Sequence, residues 1–139
     1  MSKKDIQKQF DYAVGQVIKQ GQPAYSAKGS CYYRLKKKDT VLKCPVGWLI
    51  PDSYFKAHPD DIEDTDVSEL DPSVYSHARM APFKKKQEIL CHLQSAHDES
   101  VCYTRFVDAF KYRAKEVAHR CNLKWNFEQI PAFRLTALA

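Results

Sequence analysis

The chain has 139 residues, of which 44% are apolar and 28% charged, and a formal net charge of +5. That length and composition predict one globular domain with a real core, and they exclude a disordered chain. No apolar run approaches the roughly 18–20 residues that span a bilayer, and the start "MSKKDIQKQF" lacks the apolar stretch of a signal peptide, so a cytoplasmic protein without membrane contact is expected.

Ile6, Phe10, Ala13, Val14, Val17 and Ile18 recur at helical spacing and predict an amphipathic helix over 4–20. Ser2 and Asp5 form a start signal, and Gly21 followed by Pro23 forms a stop. "SCYYRLK" (30–36) and "DTVLKC" (39–44) are rich in aromatic and β-branched residues and predict a hairpin. Its lysine-rich turn has no Asn-Gly or Asp-Gly, which leaves the register open. In "KCPVGWLIPDSYF" (43–55) Pro45 suits a first helical turn, Gly47 permits close approach, and Pro51 ends the helix. A second short turn is expected from Pro51 or Asp52.

Residues 57–82 hold three prolines and few periodic apolar positions, which predicts a loop excursion. Within it, "DDIEDTDVSELD" (60–71) carries seven acidic residues and no basic one. Helices are expected over Lys84–His97 and Val101–Cys121, with Asn122 as a stop, and "LKWNF" (123–127) alternates like a strand. The tail "PAFRLTALA" either packs or frays. The fold class expected is α+β: a small antiparallel sheet with about three main helices, in a single domain over 1–139.

Outside the acidic run the chain has 22 basic and 10 acidic residues. Lys36–Lys38 and Lys84–Lys86 are clustered, and such a split attracts polyanions, nucleic acid among them. The acidic run reads equally well as a cover for the basic surface, and a solvated lysine face is the ordinary reading. The five cysteines, Cys31, Cys44, Cys91, Cys102 and Cys121, are odd in number, scattered and free of any C-x-x-C pair. They predict small buried side chains in place of a disulfide framework or zinc knuckle.

Three chemistries were weighed against structural alternatives. Cys44 precedes a helix start and follows Lys43, the setting of an activated thiolate, with His97 as base and Asp98 or Gln94 to orient it. A packed Cys44 is the favoured reading. Cys31, Cys44, His92 and His97 make a weak metal set, and the acidic run lacks the Gly and Glu of a calcium loop, so no metal and no cofactor is expected. Arg34 beside Tyr33 offers a rigid fork and a stacking face for an anionic nucleotide. The same fork suits an internal pair with Asp52 or Asp98. His97 and Asp98 close a helix, where a structural cap is the ordinary role.

"CYYRLKKKDTVLKCPVGWLIPDSY" and "LQSAHD" resemble a pattern of small phage and prophage proteins: C-x-Y-R, then K/R-C-A-V-G-x-L-I-P-D and a nearby Tyr, then L-Q-x-A-H-D. About half of the chain is covered, and Pro45 departs from the usual Ala. The resemblance implies phage or prophage origin and action inside a bacterial host, and it implies no activity. The resulting expectation is a non-enzymatic accessory protein that binds a host or phage factor or an anionic nucleotide, for example to inhibit host defence. Tyr33, Arg34, Asp52, Tyr54, Gln94, His97 and Asp98 are its expected binding residues. The alternatives are a small enzyme with a Cys44/His97 centre and a nucleic-acid-binding protein using the lysine clusters.

Overall fold

A computed structural model describes residues 3–26, 29–58 and 65–128. Five α-helices and one hairpin follow in chain order: α1 (Lys3–Gln20), β1 (Arg34–Lys37), β2 (Thr40–Lys43), α2 (Pro45–Leu49), α3 (Asp52–Ala57), α4 (Gln87–Asp98) and α5 (Phe106–Arg120). This is a small, mainly helical α+β domain with a two-stranded antiparallel sheet. Among the described residues no helix is long and apolar enough to cross a membrane.

The core follows the helical stripes. Phe10, Ala13, Val14 and Val17 of α1 are fully buried, as are Leu90 and Leu93 of α4 and Phe110 and Ala114 of α5. Burial of each large apolar side chain stabilises the fold by roughly 1.5–3 kcal/mol. α1 packs on α2 and α5, and α4 packs on α5 and α2, so the short α2 is wedged between the long helices. Gly21 ends α1 at φ +79°, and Asn122 follows α5 at φ +62°, each in the left-handed conformation that ends a helix.

The hairpin pairs Arg34 with Lys43 and Lys37 with Thr40, which leaves Lys38 and Asp39 as a two-residue turn. Lys38 supplies the positive φ, at +50°, that glycine or asparagine usually provides. α2 begins at Pro45, and the Cys44 sulfur accepts a hydrogen bond from the Gly47 amide at 3.3 Å. Gly47 has no room for a side chain: a Cβ there would lie 1.9 Å from the Tyr33 carbonyl oxygen. Strand and helix therefore touch through backbone.

Two expectations need correction. Residues 123–127 form no strand. Their alternation is used against α1: the Lys124 amide donates to Gln7 Oε1 at 2.8 Å, and Gln7 Nε2 donates to the Lys124 carbonyl at 3.0 Å. One side-chain amide offers the donor and acceptor that a neighbouring strand would have offered. Within the stretch read as an excursion, residues 65–82 are anchored by 3₁₀ turns at Val67–Glu69, Pro72–Ser76 and Ala81–Phe83. Val74, Met80 and Phe83 are fully buried. Each short turn delivers one or two apolar residues to the core without any sustained period. The start of the acidic run, 60–64, and the tail 131–139 lie outside the described residues.

Candidate functional site

The most concentrated chemistry lies where α4 ends against the loop before the hairpin. His97 extends the buried stripe of Leu90 and Leu93, and its ring is fully buried. Asp98 follows at the border of that face, and Gln94 reaches it one turn back, with Nε2 donating to Asp98 Oδ1 at 3.1 Å. The edge of Phe106 fixes the imidazole plane, with ring centroids 5.6 Å apart.

Cys31 arrives from the other side. Tyr25 and Cys31 form a β-bridge, Gly29 turns the chain between them at φ +87°, and the Tyr32 amide donates to the Ala24 carbonyl at 2.9 Å. The Ala24 amide donates to His97 Nε2 at 3.1 Å. An amide can only donate, so Nε2 carries the lone pair and Nδ1 carries the proton. Nδ1 then donates to Asp98 Oδ1, 2.8 Å away. Cys31 Sγ, a His97 ring nitrogen and an Asp98 oxygen all lie within 4.8 Å of one another.

The Asp98 carboxylate thus accepts from His97, Gln94 and the Cys31 thiol. Burial, then the negative Asp98 and its hydrogen bond, and then Cys102 push the Cys31 thiol up to about 12. The thiol is therefore protonated at neutral pH and is no nucleophile by itself. Beside this centre Gln94 Oε1 is buried without a hydrogen-bond partner among the described residues.

The other expected site residues form a second group. Arg34 Nε and Lys43 Nζ, facing each other across the hairpin, reach Asp52 Oδ1 at 3.2 and 2.9 Å. The hydrogen bond from Lys43 holds the Asp52 carboxyl below its ordinary value; partial burial opposes this, and Arg34 adds to it. Lys43 also lies over the Trp48 ring, 5.0 Å from its centroid. Tyr33 donates to the Thr65 carbonyl at 2.6 Å, and Tyr54 stacks on His58 with centroids 4.2 Å apart. Both tyrosines are buried. The internal Arg34–Asp52 pair is thus formed, and Arg34 points its fork at a carboxylate of its own chain.

Cys44 is fully buried and caps α2 through its sulfur. His92 is not part of this cluster and lines a cleft beside Lys84–Lys86. Of the four metal ligands weighed from sequence, the structure keeps Cys31 and His97 together and adds Asp98. The Cys31 contribution had one sequence signal, the Gly29 turn just before it, and nothing in the sequence tied that turn to the end of α4. Lys36–Lys38 and Lys84–Lys86 are exposed.

The geometry defines a small α+β protein with a Cys/His/Asp centre. No family model, no curated protein and no solved structure matches the chain.

Proposed function

We propose that the chain is a small enzyme whose Cys31–His97–Asp98 centre holds a zinc-class divalent cation and hydrolyses an electrophilic substrate. The convergence of three ligand atoms of different type within 4.8 Å, from parts of the chain far apart in sequence, carries this reading. Sulfur, imidazole and carboxylate are the donors that zinc accepts. Ligands 2.0–2.3 Å from a tetrahedral ion sit about 3.3–3.8 Å apart, so the His97 Nδ1–Asp98 Oδ1 pair, now 2.8 Å apart, would open slightly to admit one. Holding the cation would require Cys31 to release its proton to solvent and the His97 ring proton to move from Nδ1 to Nε2, which would give up the bond from the Ala24 amide.

Three protein ligands leave one position for water, the arrangement of catalytic centres as opposed to closed structural ones. A bound cation would lower the pKa of a coordinated water toward about 7 and so would supply a hydroxide for attack on an electrophilic carbon or phosphorus, the leaving group departing to solvent. Gln94 Oε1 supplies an acceptor for the water. The Asp98 side chain is 40% exposed, which leaves the centre accessible from that side.

The test is zinc titration of chelator-stripped protein, with an activated ester and an activated phosphodiester as substrates. One equivalent of zinc is expected to bind, with loss of binding in Cys31→Ser and Asp98→Ala and zinc-dependent turnover of a substrate. Failure to take up zinc overturns the reading. Stoichiometric uptake without turnover overturns its enzymatic half.

A further inference from the structure

A different face of the molecule carries a cleft. It has a volume of about 910 Å³ and opens between the start of α1, the 3₁₀ turns at Pro72–Ser76 and Ala81–Phe83, the first turns of α4 and the end of α5. Its size falls within the range of small-molecule sites, about 300–1,000 Å³. It is separate from the Cys31–His97–Asp98 centre, none of whose residues lines it.

The cleft has two chemistries. Its inner wall is apolar: Ile6, Tyr75, Ile89 and Leu123 contribute to it, and each is almost wholly buried. Its rim is cationic: Lys3, Lys84, Lys85, Lys86 and Arg120 surround it, against the single carboxylate of Glu88. Among the described residues none of these five cations has an ion-pair partner within 4.0 Å. Elsewhere some of the cations are answered: Arg34 and Lys43 by Asp52, Arg105 by Asp108, and Arg113 by Glu99.

Two further features lie at this cleft. The Tyr75 hydroxyl is buried and has no hydrogen-bond partner among the described residues, though its ring lines the wall. α4 opens at the rim with no side-chain cap at Lys86, so its first amides add positive potential to that of the lysines. An anionic head at the rim meets lysine, arginine and helix amides together. An apolar body on the wall would cover the small part of Ile6, Ile89 and Leu123 that still faces water.

We infer that this cleft binds a monomeric amphipathic anion: a single apolar chain of small-molecule size bearing a carboxylate or phosphate head. Charge complementarity selects the head, and the apolar wall selects the body. The basic cluster Lys84–Lys86 thereby acts on a small ligand's head group and not on a polynucleotide backbone.

The test uses decyl phosphate below its micellar concentration, followed by calorimetry and thermal unfolding. Decyltrimethylammonium, inorganic phosphate and a single-stranded oligonucleotide are the controls. Decyl phosphate is expected to raise Tm by about 5 °C or more near saturation. Inorganic phosphate and the cationic amphiphile are expected to leave Tm unchanged. The exposed double variant K84E/K86E should fold as the wild type does and bind decyl phosphate about tenfold or more weakly. Ile89→Asn should weaken decyl phosphate binding as well, and circular dichroism checks its fold. Equal stabilisation by the cationic amphiphile, or no binding of decyl phosphate, overturns the inference. Oligonucleotide binding without decyl phosphate binding assigns the lysines to nucleic acid, and self-association that K84E/K86E abolishes assigns the cleft to a second copy; either result overturns it.

Discussion

The amide of Ala24 donates to Nε2 of His97 at 3.1 Å, across 73 residues of sequence. This bond decides the chemistry at the end of α4. It holds the loop that carries Cys31 against the helix that carries Asp98. It also commits the imidazole to the tautomer with Nδ1 turned toward the carboxylate.

His97→Ala removes a fully buried ring and strands the Ala24 amide. A loss of about 2–4 kcal/mol of stability is expected, from the cavity and the unpaired donor together. His97→Gln can place an amide oxygen near the Nε2 position, so it should lose less. Urea unfolding of both variants measures this, and equal losses would show that the acceptor at Nε2 contributes nothing.

Cys31 and Cys102 should differ sharply in reactivity in the metal-free protein. Cys31 is half-buried and hydrogen-bonded to a carboxylate, with its thiol pushed up to about 12, whereas Cys102 is exposed. Alkylation mapped by mass spectrometry at pH 8 should label Cys102 first. The raised value favours the protonated thiol in the folded state. Its contribution to stability is therefore complete below the unfolded thiol's ordinary value and is lost as pH rises toward 12. Cys31→Ser should remove that part of the alkaline loss, and early labelling of Cys31 would contradict the arrangement.

Asp52 behaves in the opposite sense. Its carboxyl is held below the ordinary value by Lys43, with Arg34 adding to the effect. The stability it contributes is present above the unfolded carboxyl's value and disappears as pH falls through the folded one. The Asp52 side chain is 55% exposed, so solvent screening limits the effect. Asp52→Asn should cost at most about 1 kcal/mol at pH 7, and the difference from wild type should shrink at a pH well below the ordinary carboxyl range. Chemical denaturation at both pH values checks this; an unchanged difference would mean that the ion pairs are not its source.

Gly47→Ala should be among the most damaging small substitutions in the chain. The added carbon would meet a backbone carbonyl 1.9 Å away, where no side-chain rotation relieves it. Separating α2 from the hairpin is expected to cost about 2–4 kcal/mol. Thermal unfolding reads the effect, and a variant as stable as wild type would contradict the close approach of Gly47 to Tyr33.

The chain's local chemistry was legible wherever one residue type acts on its own neighbours. The stripe from Ile6 to Val17 determined α1, and Gly21 its end, because helical spacing and a left-handed glycine are properties of the segment itself. Pro45 and Gly47 likewise marked the strand-to-helix junction in "KCPVGWLIPDSYF". Cys44 proved to be the cap of that junction, a role its position before Pro45 allowed but did not single out.

What only the tertiary structure decided depends on partners far apart in sequence. Residues 123–127 alternate as a strand does, yet Gln7 takes the backbone bonds that a strand neighbour would need. Asp52 collects Arg34 and Lys43 because the hairpin register places those two side by side. Cys31 meets His97 and Asp98 because the Ala24 amide ties its loop to α4. Periodicity and turn signals record what a segment does with its own neighbours, whereas a site is a coincidence in space. By itself the sequence determined that the long helices, the hairpin and their junction exist; packing set where β1, α4 and α5 begin and chose which distant side chains meet.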